Sequence, residues 1–120
     1  MPYFFDTYAL VEIANGNEKY KKFESESITV SILNIGEFYL VNLREFNKEH
    51  ALNLINRFKF QLLEITKDVM IDAMDFKNKY NKREYSWADC IGYVLSKKHN
   101  LKFLTGDEQF KNMENVEFVK

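Results

Sequence analysis

The side chains best placed to do chemistry in this sequence are four acids: Asp6, Glu37, Asp89 and Asp107. Asp6 and Asp107 each follow a short apolar run, and Glu37 and Asp89 each lie near the predicted start of a helix. Oxygen ligands without histidine or cysteine suit Mg²⁺ or Mn²⁺ better than Zn²⁺. A metal held in this way can activate a water and neutralise charge on a phosphodiester, which predicts hydrolysis without a covalent intermediate.

Each acid also has a purely structural explanation. Asp6 and Asp107 are placed to cap the helix or turn that follows them, and Ser86-x-x-Asp89 and Asn34-x-x-Glu37 both match a capping box. The metal hypothesis therefore depends on the four together. Strand ends and helix N-termini gather on one side of an α/β sheet, where crowded carboxylates repel one another and a divalent metal would offset the repulsion.

The elements that must position these acids alternate between short strands and amphipathic helices. Apolar patterns predict strands at residues 2–5, 28–32, 62–65, 101–104 and 116–119, and helices that start at about residues 7, 34, 48, 69 and 87. The last of these helices is expected to bury a stripe that includes Trp87 and Ile91. This order predicts an α/β fold, a three-layer sandwich with a central, mostly parallel sheet flanked by helices, as one domain over residues 1–120.

Composition bounds the classes of function. The chain has 120 residues, of which 46% are hydrophobic and 29% charged, as expected for a soluble globular protein. No apolar run is long enough to span a bilayer and the first residues do not resemble a signal peptide, so we expect a cytoplasmic protein without membrane contact. The single cysteine, Cys90, is expected to be a core residue rather than a nucleophile.

A net charge of −1 argues against broad, charge-driven nucleic-acid binding, so any RNA contact must be local. The most basic segment, residues 77–85, leads directly into the helix that carries Asp89. Basic side chains can hold phosphates while a tyrosine stacks on a base, which predicts RNA binding by Lys77, Lys79, Tyr80, Lys82 and Arg83. The alternative is an ordinary solvated helix end.

The predicted helices at residues 34–46 and 48–60 carry more apolar positions than one buried stripe needs. Aromatic residues are also frequent, at 16% of the chain. This excess suits a helical hairpin that forms a homodimer, and dense core packing explains it equally well.

The acids and their neighbours resemble the PIN-domain ribonucleases, and in particular the VapC-type toxins of toxin–antitoxin pairs. The resemblance covers nearly the whole chain and lies in four motifs in the family's order: Phe5-Asp6-Thr7, Asn34-Ile-Gly-Glu37, Ser86-Trp-Ala-Asp89, and Leu104-Thr105-Gly106-Asp107 followed by Phe110. It implies that Thr7, Ser86 and Thr105 are hydroxyls that support the acids or contact phosphate. One departure is Cys90, where the family often has alanine.

The resemblance implies a metal-dependent endoribonuclease that uses Mg²⁺ or Mn²⁺ held by Asp6, Glu37, Asp89 and Asp107. It further implies a single-stranded RNA or a tRNA or rRNA loop as substrate, a homodimer, and a cognate antitoxin that inserts into a groove near the site. Two alternatives stay open: an RNA-processing nuclease of the same family without an antitoxin, and a non-catalytic interaction module whose acids are caps. A doubly wound phosphatase or phospho-acceptor domain is disfavoured, because only Asp6 lies near the first strand.

Overall fold

The computed structural model describes residues 2–24 and 27–120. Within these residues the strands are β1 Tyr3–Phe5, β2 Ile28–Val30, β3 Phe60–Leu62, β4 Lys102–Thr105 and β5 Val116–Phe118. The α-helices in the same part of the chain are α1 Thr7–Ala14, α2 Ile32–Glu45, α3 Lys48–Arg57, α4 Lys67–Lys79 and α5 Trp87–Lys98. Short 3₁₀ turns span Glu18–Phe23 and Glu108–Phe110.

Every strand pairing between these elements is parallel. Hydrogen bonds join β1, β4 and β5 in that order, and they join β2 to β3 as a second ladder that lies against β1. Phe5, the last residue of β1, is paired with Leu104 near the end of β4. Adjacent strands therefore finish together, and Asp6 and Asp107 follow them on the same side of the sheet.

The sheet separates two apolar clusters because successive side chains of a strand point to opposite faces. Phe5 and Leu104 pack with α1, Phe38 of α2 and Leu54 of α3 on one face. Phe4 and Phe103 pack with α4 and α5 on the other. The predicted α/β architecture, with a parallel sheet between helical layers, is confirmed.

Helix α5 lies unusually close to the sheet at Gly92. A Cβ at this position would come within 2.8 Å of Phe4 Cε1 and 3.2 Å of Phe103 Cε1, so the absence of a side chain allows the close approach. Ile91 and Leu95 on the same helix are fully buried. Trp87 was expected in this buried stripe, and that prediction is wrong: at the first residue of the helix its side chain is 57% exposed.

Several predicted boundaries are also wrong. The helix predicted over residues 48–60 ends at Arg57, and Phe60 begins β3. Ile32 belongs to α2 rather than to β2, because Ser31 is the N-cap: its hydroxyl accepts the Asn34 N–H, and the Asn34 side chain accepts the Ser31 N–H. Asn34 is therefore the third residue of the helix and not its cap. The third strand ends at Leu62, while Leu63 and Ile65, which were expected in it, pack against the cluster of α4 and α5.

Cys90 is buried, as expected of a core residue, and burial raises the pKa of its thiol to about 11. Asn100 adopts the left-handed conformation (φ 56°) at the end of α5. In residues 2–24 and 27–120, every helix is too short or too polar to cross a bilayer.

Candidate active site

Asp6 is held at the carboxyl end of β1 by a partner from the neighbouring strand. Its Oδ2 accepts a 2.7 Å hydrogen bond from the hydroxyl of Thr105, the last residue of β4. Asp6 stands at the predicted N-cap position of α1, but its side chain makes no capping hydrogen bond to the helix. The residue is only 2% exposed, and its Oδ1 has no hydrogen-bond partner among the described residues. A buried carboxylate oxygen without a partner is costly unless a cation or water reaches it.

Asp89 does have the predicted structural role. The Ser86 N–H donates to Asp89 Oδ2 (2.8 Å), and the Asp89 N–H donates to Ser86 Oγ (3.0 Å), which completes the capping box of α5. The box fixes the side chain at the helix N-terminus, where negative charge is favoured. Capping and a metal-binding role are compatible, because the box occupies one carboxylate oxygen.

Glu37 lies one turn into α2 and is tied to the start of α1. Thr7 donates its hydroxyl to Glu37 Oε1 (2.7 Å), and the Asn34 amide donates to Thr7 Oγ1 (3.2 Å). The predicted Asn34–Glu37 capping box is therefore wrong, since Ser31 is the cap and Asn34 instead supports Thr7. The sequence signal for the correct cap is the Ser31-x-x-Asn34 pattern, which puts Asn34 in the first turn of the helix.

Asp107 begins a tight turn after β4. Its Oδ1 accepts the Gln109 N–H (3.0 Å), and its own N–H donates to Thr105 Oγ1 (3.1 Å). The Thr105 hydroxyl thus contacts the backbone of one acid and the carboxylate of another. Gly106 allows this turn, since a Cβ there would collide with the ring of Tyr8 and the carbonyl oxygen of Val119.

Three of the four acids open onto one cavity of about 300 Å³. Its lining residues are Asp6, Thr7, Tyr8, Val11, Glu12, Val41, Asp89 and Asp107. Glu37 does not line this cavity, but it accepts a hydrogen bond from Thr7, which does. The fold therefore brings together the acids that the sequence singled out. Tyr8, Val11, Glu12 and Val41 were not predicted, because each reads as an ordinary position of an amphipathic helix.

Burial and mutual repulsion raise the pKa values of two of these acids. The pKa of Asp6 is raised to about 8, chiefly by burial and then by the charges of Asp89 and Glu37, against the opposing effects of the Thr105 hydroxyl and the nearby Thr7 backbone N–H. The pKa of Asp89 is raised to about 6 by burial and by the charges of Glu37 and Asp107, against the opposing bonds from Ser86. A site that resists ionisation in this way is suited to take up a cation.

The residues present fit a divalent metal by donor type. Asp6 Oδ1 is a buried oxygen without a partner among the described residues, and further carboxylate oxygens face the same cavity, a donor set that matches Mg²⁺ or Mn²⁺. Within residues 2–24 and 27–120, however, no three acidic, histidine or cysteine side chains lie close enough together to bind one ion. Metal held by these residues would therefore need water ligands or a small inward movement of the acids.

The residues predicted to bind RNA divide into two groups. Lys79 and Lys82 are exposed at the end of α4. Lys77 donates to the Tyr85 carbonyl (2.5 Å), and Arg83 Nη1 donates to the Gln109 carbonyl (2.5 Å), so both help to fold the segment. Tyr80 is partly buried with its ring 4.8 Å from that of Phe76. RNA contact by this segment stays a prediction, and the two exposed lysines are its best candidates.

A family model described as the PIN domain matches residues 3–116 of this chain. A search of curated protein sequences finds no match.

Solved structures with the same fold include several from toxin–antitoxin systems. A toxin–antitoxin complex from Klebsiella pneumoniae has a TM-score of 0.72 at 16% identity, over 96% of this chain and 95% of that chain. VapC20 from Mycobacterium tuberculosis, described as a toxin that cleaves the sarcin-ricin loop, has a TM-score of 0.75 at 16% identity, over 95% and 98%. VapBC2 from Rickettsia felis, bound to a DNA fragment from its promoter, has a TM-score of 0.76 at 14% identity, over 99% and 98%. At these identities the likeness establishes the fold.

Proposed function

This chain belongs to the PIN-domain family, and from that premise we propose that it is a metal-dependent endoribonuclease that acts as the toxin of a toxin–antitoxin pair. The observation that carries the proposal is the buried Oδ1 of Asp6, which has no partner among the described residues, in a residue that lines one cavity with Asp89 and Asp107. Such an oxygen is costly for the folded protein when no cation is bound. It is suited to binding a cation there.

In the proposed site, Asp6, Asp89 and Asp107 hold Mg²⁺ or Mn²⁺. Glu37 lies behind Thr7, which lines the cavity, and adds negative charge close to the metal. The metal would supply an activated water and neutralise charge on the scissile phosphate and leaving oxygen. Thr105 orients Asp6 by fixing Oδ2, which directs Oδ1 to its ligand. Ser86 does the same for Asp89 through the capping box.

RNA is proposed as the substrate on two grounds. Lys79 and Lys82 are exposed on the segment that leads into Ser86, so they are available to bind phosphates. The relative from M. tuberculosis is described as cleaving the sarcin-ricin loop, which supports an RNA loop or another single-stranded region as the substrate class. Ser86 and Thr7, which lie beside the acids, are proposed to contact the phosphate.

An antitoxin and a second copy of this chain are the proposed protein partners. Two of the structural relatives are complexes from toxin–antitoxin systems, which supports a cognate antitoxin. Leu40, Leu43 and Phe46 of the α2 region and Leu52 of α3 are exposed apolar side chains, which supports a homodimer through this hairpin. Light scattering on purified protein tests the dimer: a Leu43→Glu variant should be monomeric where wild type is dimeric, and a monomeric wild type would contradict it.

Metal binding and RNA cleavage measured on the same preparation test the proposed function. Calorimetry should detect Mn²⁺ binding to wild-type protein and much weaker binding to the Asp6→Asn variant, and only wild type should cleave RNA. A folded wild-type protein that neither binds metal nor cleaves RNA would favour the interaction module, in which Asp89 and Asp107 serve only as caps.

A further inference from the structure

Gln109 connects the Asp107 turn to the loop that precedes α5. Its N–H donates to Asp107 Oδ1 (3.0 Å). Its carbonyl oxygen accepts from the Tyr85 hydroxyl (2.6 Å) and from Arg83 Nη1 (2.5 Å). Its side-chain Oε1 accepts the Glu84 N–H (2.6 Å). One residue therefore joins two segments that each carry an acid of the candidate site.

The loop side of this connection is firmly anchored. Tyr85 is 2% exposed, and its ring lies 4.5 Å from that of Phe110 and 5.4 Å from that of Phe76. The next residue, Ser86, is the N-cap of α5 and holds Asp89. The position of Tyr85 therefore sets the position of Asp89 through a few residues of fixed backbone.

We propose that Arg83, Tyr85 and Gln109 form a clamp that positions the Asp107 turn against the start of α5 and so sets the separation of Asp89 and Asp107 before any metal binds. The inference deepens the proposed function and rests on it. The charges of Asp89 and Asp107 repel each other, and a tie between the two backbone segments opposes their separation. A tied pair loses less freedom on binding an ion, which strengthens binding.

The clamp assigns Arg83 a role different from direct RNA contact. Its guanidinium donates to the Gln109 carbonyl and to the Tyr85 hydroxyl (2.9 Å), and it lies over the rings of Tyr80 and Tyr85. These contacts orient the side chain toward the turn. Arg83, Tyr85 and Gln109 are positioning residues, since they act on the site through Asp107 and Asp89.

A matched pair of tyrosine variants isolates the clamp. Tyr85→Phe removes the hydroxyl bond to the Gln109 carbonyl and the bond that the hydroxyl accepts from Arg83, and it keeps the buried ring. Tyr93→Phe is the control, because Tyr93 is also buried, at 3% exposed. Its hydroxyl donates to the Glu114 carbonyl (2.7 Å), and the variant removes that bond. Both variants keep a buried ring and lose a hydroxyl-to-carbonyl bond, so a difference between them in the Asp107 turn reports on the clamp.

Two measurements compare these variants with wild type. The first is amide hydrogen exchange of residues 107–110 in metal-free protein, and the second is Mn²⁺ affinity by calorimetry. Tyr85→Phe should speed exchange in the turn and weaken Mn²⁺ binding by about three- to tenfold, the scale of an ordinary hydrogen-bond contribution. Tyr93→Phe should leave both unchanged.

Equal exchange in the turn of Tyr85→Phe and wild type, or equal metal affinity of the two tyrosine variants, would overturn the clamp. A wild-type protein that binds no Mn²⁺ would overturn the proposed function instead. In that case the exchange data alone decide the clamp: faster exchange only in Tyr85→Phe supports it, and unchanged exchange overturns it.

Discussion

Thr105 donates its hydroxyl to Asp6 Oδ2 at 2.7 Å across two neighbouring parallel strands. The same Thr105 oxygen accepts the Asp107 N–H, so one buried hydroxyl supports two acids of the proposed site. We predict that Thr105→Val lowers the free energy of unfolding by about 1–3 kcal/mol, because buried polar groups lose their partner. It should also weaken Mn²⁺ binding. Thr105→Ser keeps the hydroxyl and should restore most of the affinity, whereas equal affinity of Thr105→Val and wild type by calorimetry would contradict this role.

The raised pKa of Asp6 makes the stability of metal-free protein depend on pH. A carboxyl whose pKa rises on folding, here to about 8 from 3.8, binds its proton more tightly in the folded state. Its contribution is therefore full below about pH 4 and is lost as the pH rises toward 8. Asp89, with a pKa raised to about 6, adds to the loss over the lower part of this range.

Asp6→Asn removes the titrating group, so it should be close to wild type in stability at about pH 4 and more stable at about pH 8, by on the order of a few kcal/mol. Urea unfolding in the presence of a chelator measures both values. A stability difference that is the same at the two pH values would show that Asp6 does not titrate in this way.

Gly106 gives the Asp107 turn its shape. We predict that Gly106→Ala destabilises the protein by about 2 kcal/mol or more, because the new methyl would collide with Tyr8 and with the Val119 backbone. Gly36 on α2 is the matched control, since a Cβ there meets nothing within 4 Å and alanine favours a helix. Thermal unfolding should place Gly106→Ala well below wild type and Gly36→Ala at or slightly above it. Equal melting temperatures for the two variants would refute the packing argument.

RNA binding can be followed by the fluorescence of Trp87, the only tryptophan, whose side chain is exposed two residues before Asp89. On an Asp89→Asn background, which should not cleave, the double substitution Lys79→Ala and Lys82→Ala should weaken binding of single-stranded RNA. The slope of log affinity against log salt should become shallower by about 0.7 for each phosphate that the variant no longer neutralises. The same substitutions at the exposed Lys48 and Lys59 serve as the control. An identical reduction in both pairs would indicate only a general charge effect.

Much of the fold follows from local patterns in the sequence. Successive side chains of a strand alternate between the two faces of the sheet, as they do at Phe4 and Phe5 and at Phe103 and Leu104. Each strand is followed by an acid, which puts Asp6 and Asp107 at the same end of the sheet. The Ser86–Asp89 capping box is likewise local and is confirmed. These features depend on residues within a few positions of each other.

The parts that could not be predicted depend on partners far apart in the chain. The bond from Thr105 to Asp6 spans 99 positions, and the bond from Thr7 to Glu37 spans 30. The helical pattern placed Trp87 in the core, but at the first helical turn its side chain projects into solvent. Arg83 looked like a phosphate ligand because its bond to Gln109 has no signature in the sequence.

Asp89 offers the most direct test of the account, because asparagine keeps the capping acceptor for the Ser86 N–H and removes the charge. The measurement is cleavage of mixed-sequence single-stranded RNA in Mg²⁺ or Mn²⁺ by wild-type and Asp89→Asn protein, each with and without a chelator. Wild type should give metal-dependent fragments that the chelator abolishes, and Asp89→Asn should be slower by about 100-fold or more while it melts at a similar temperature. Cleavage by Asp89→Asn at close to the wild-type rate, or cleavage that persists in chelator, would contradict the carboxylate metal site.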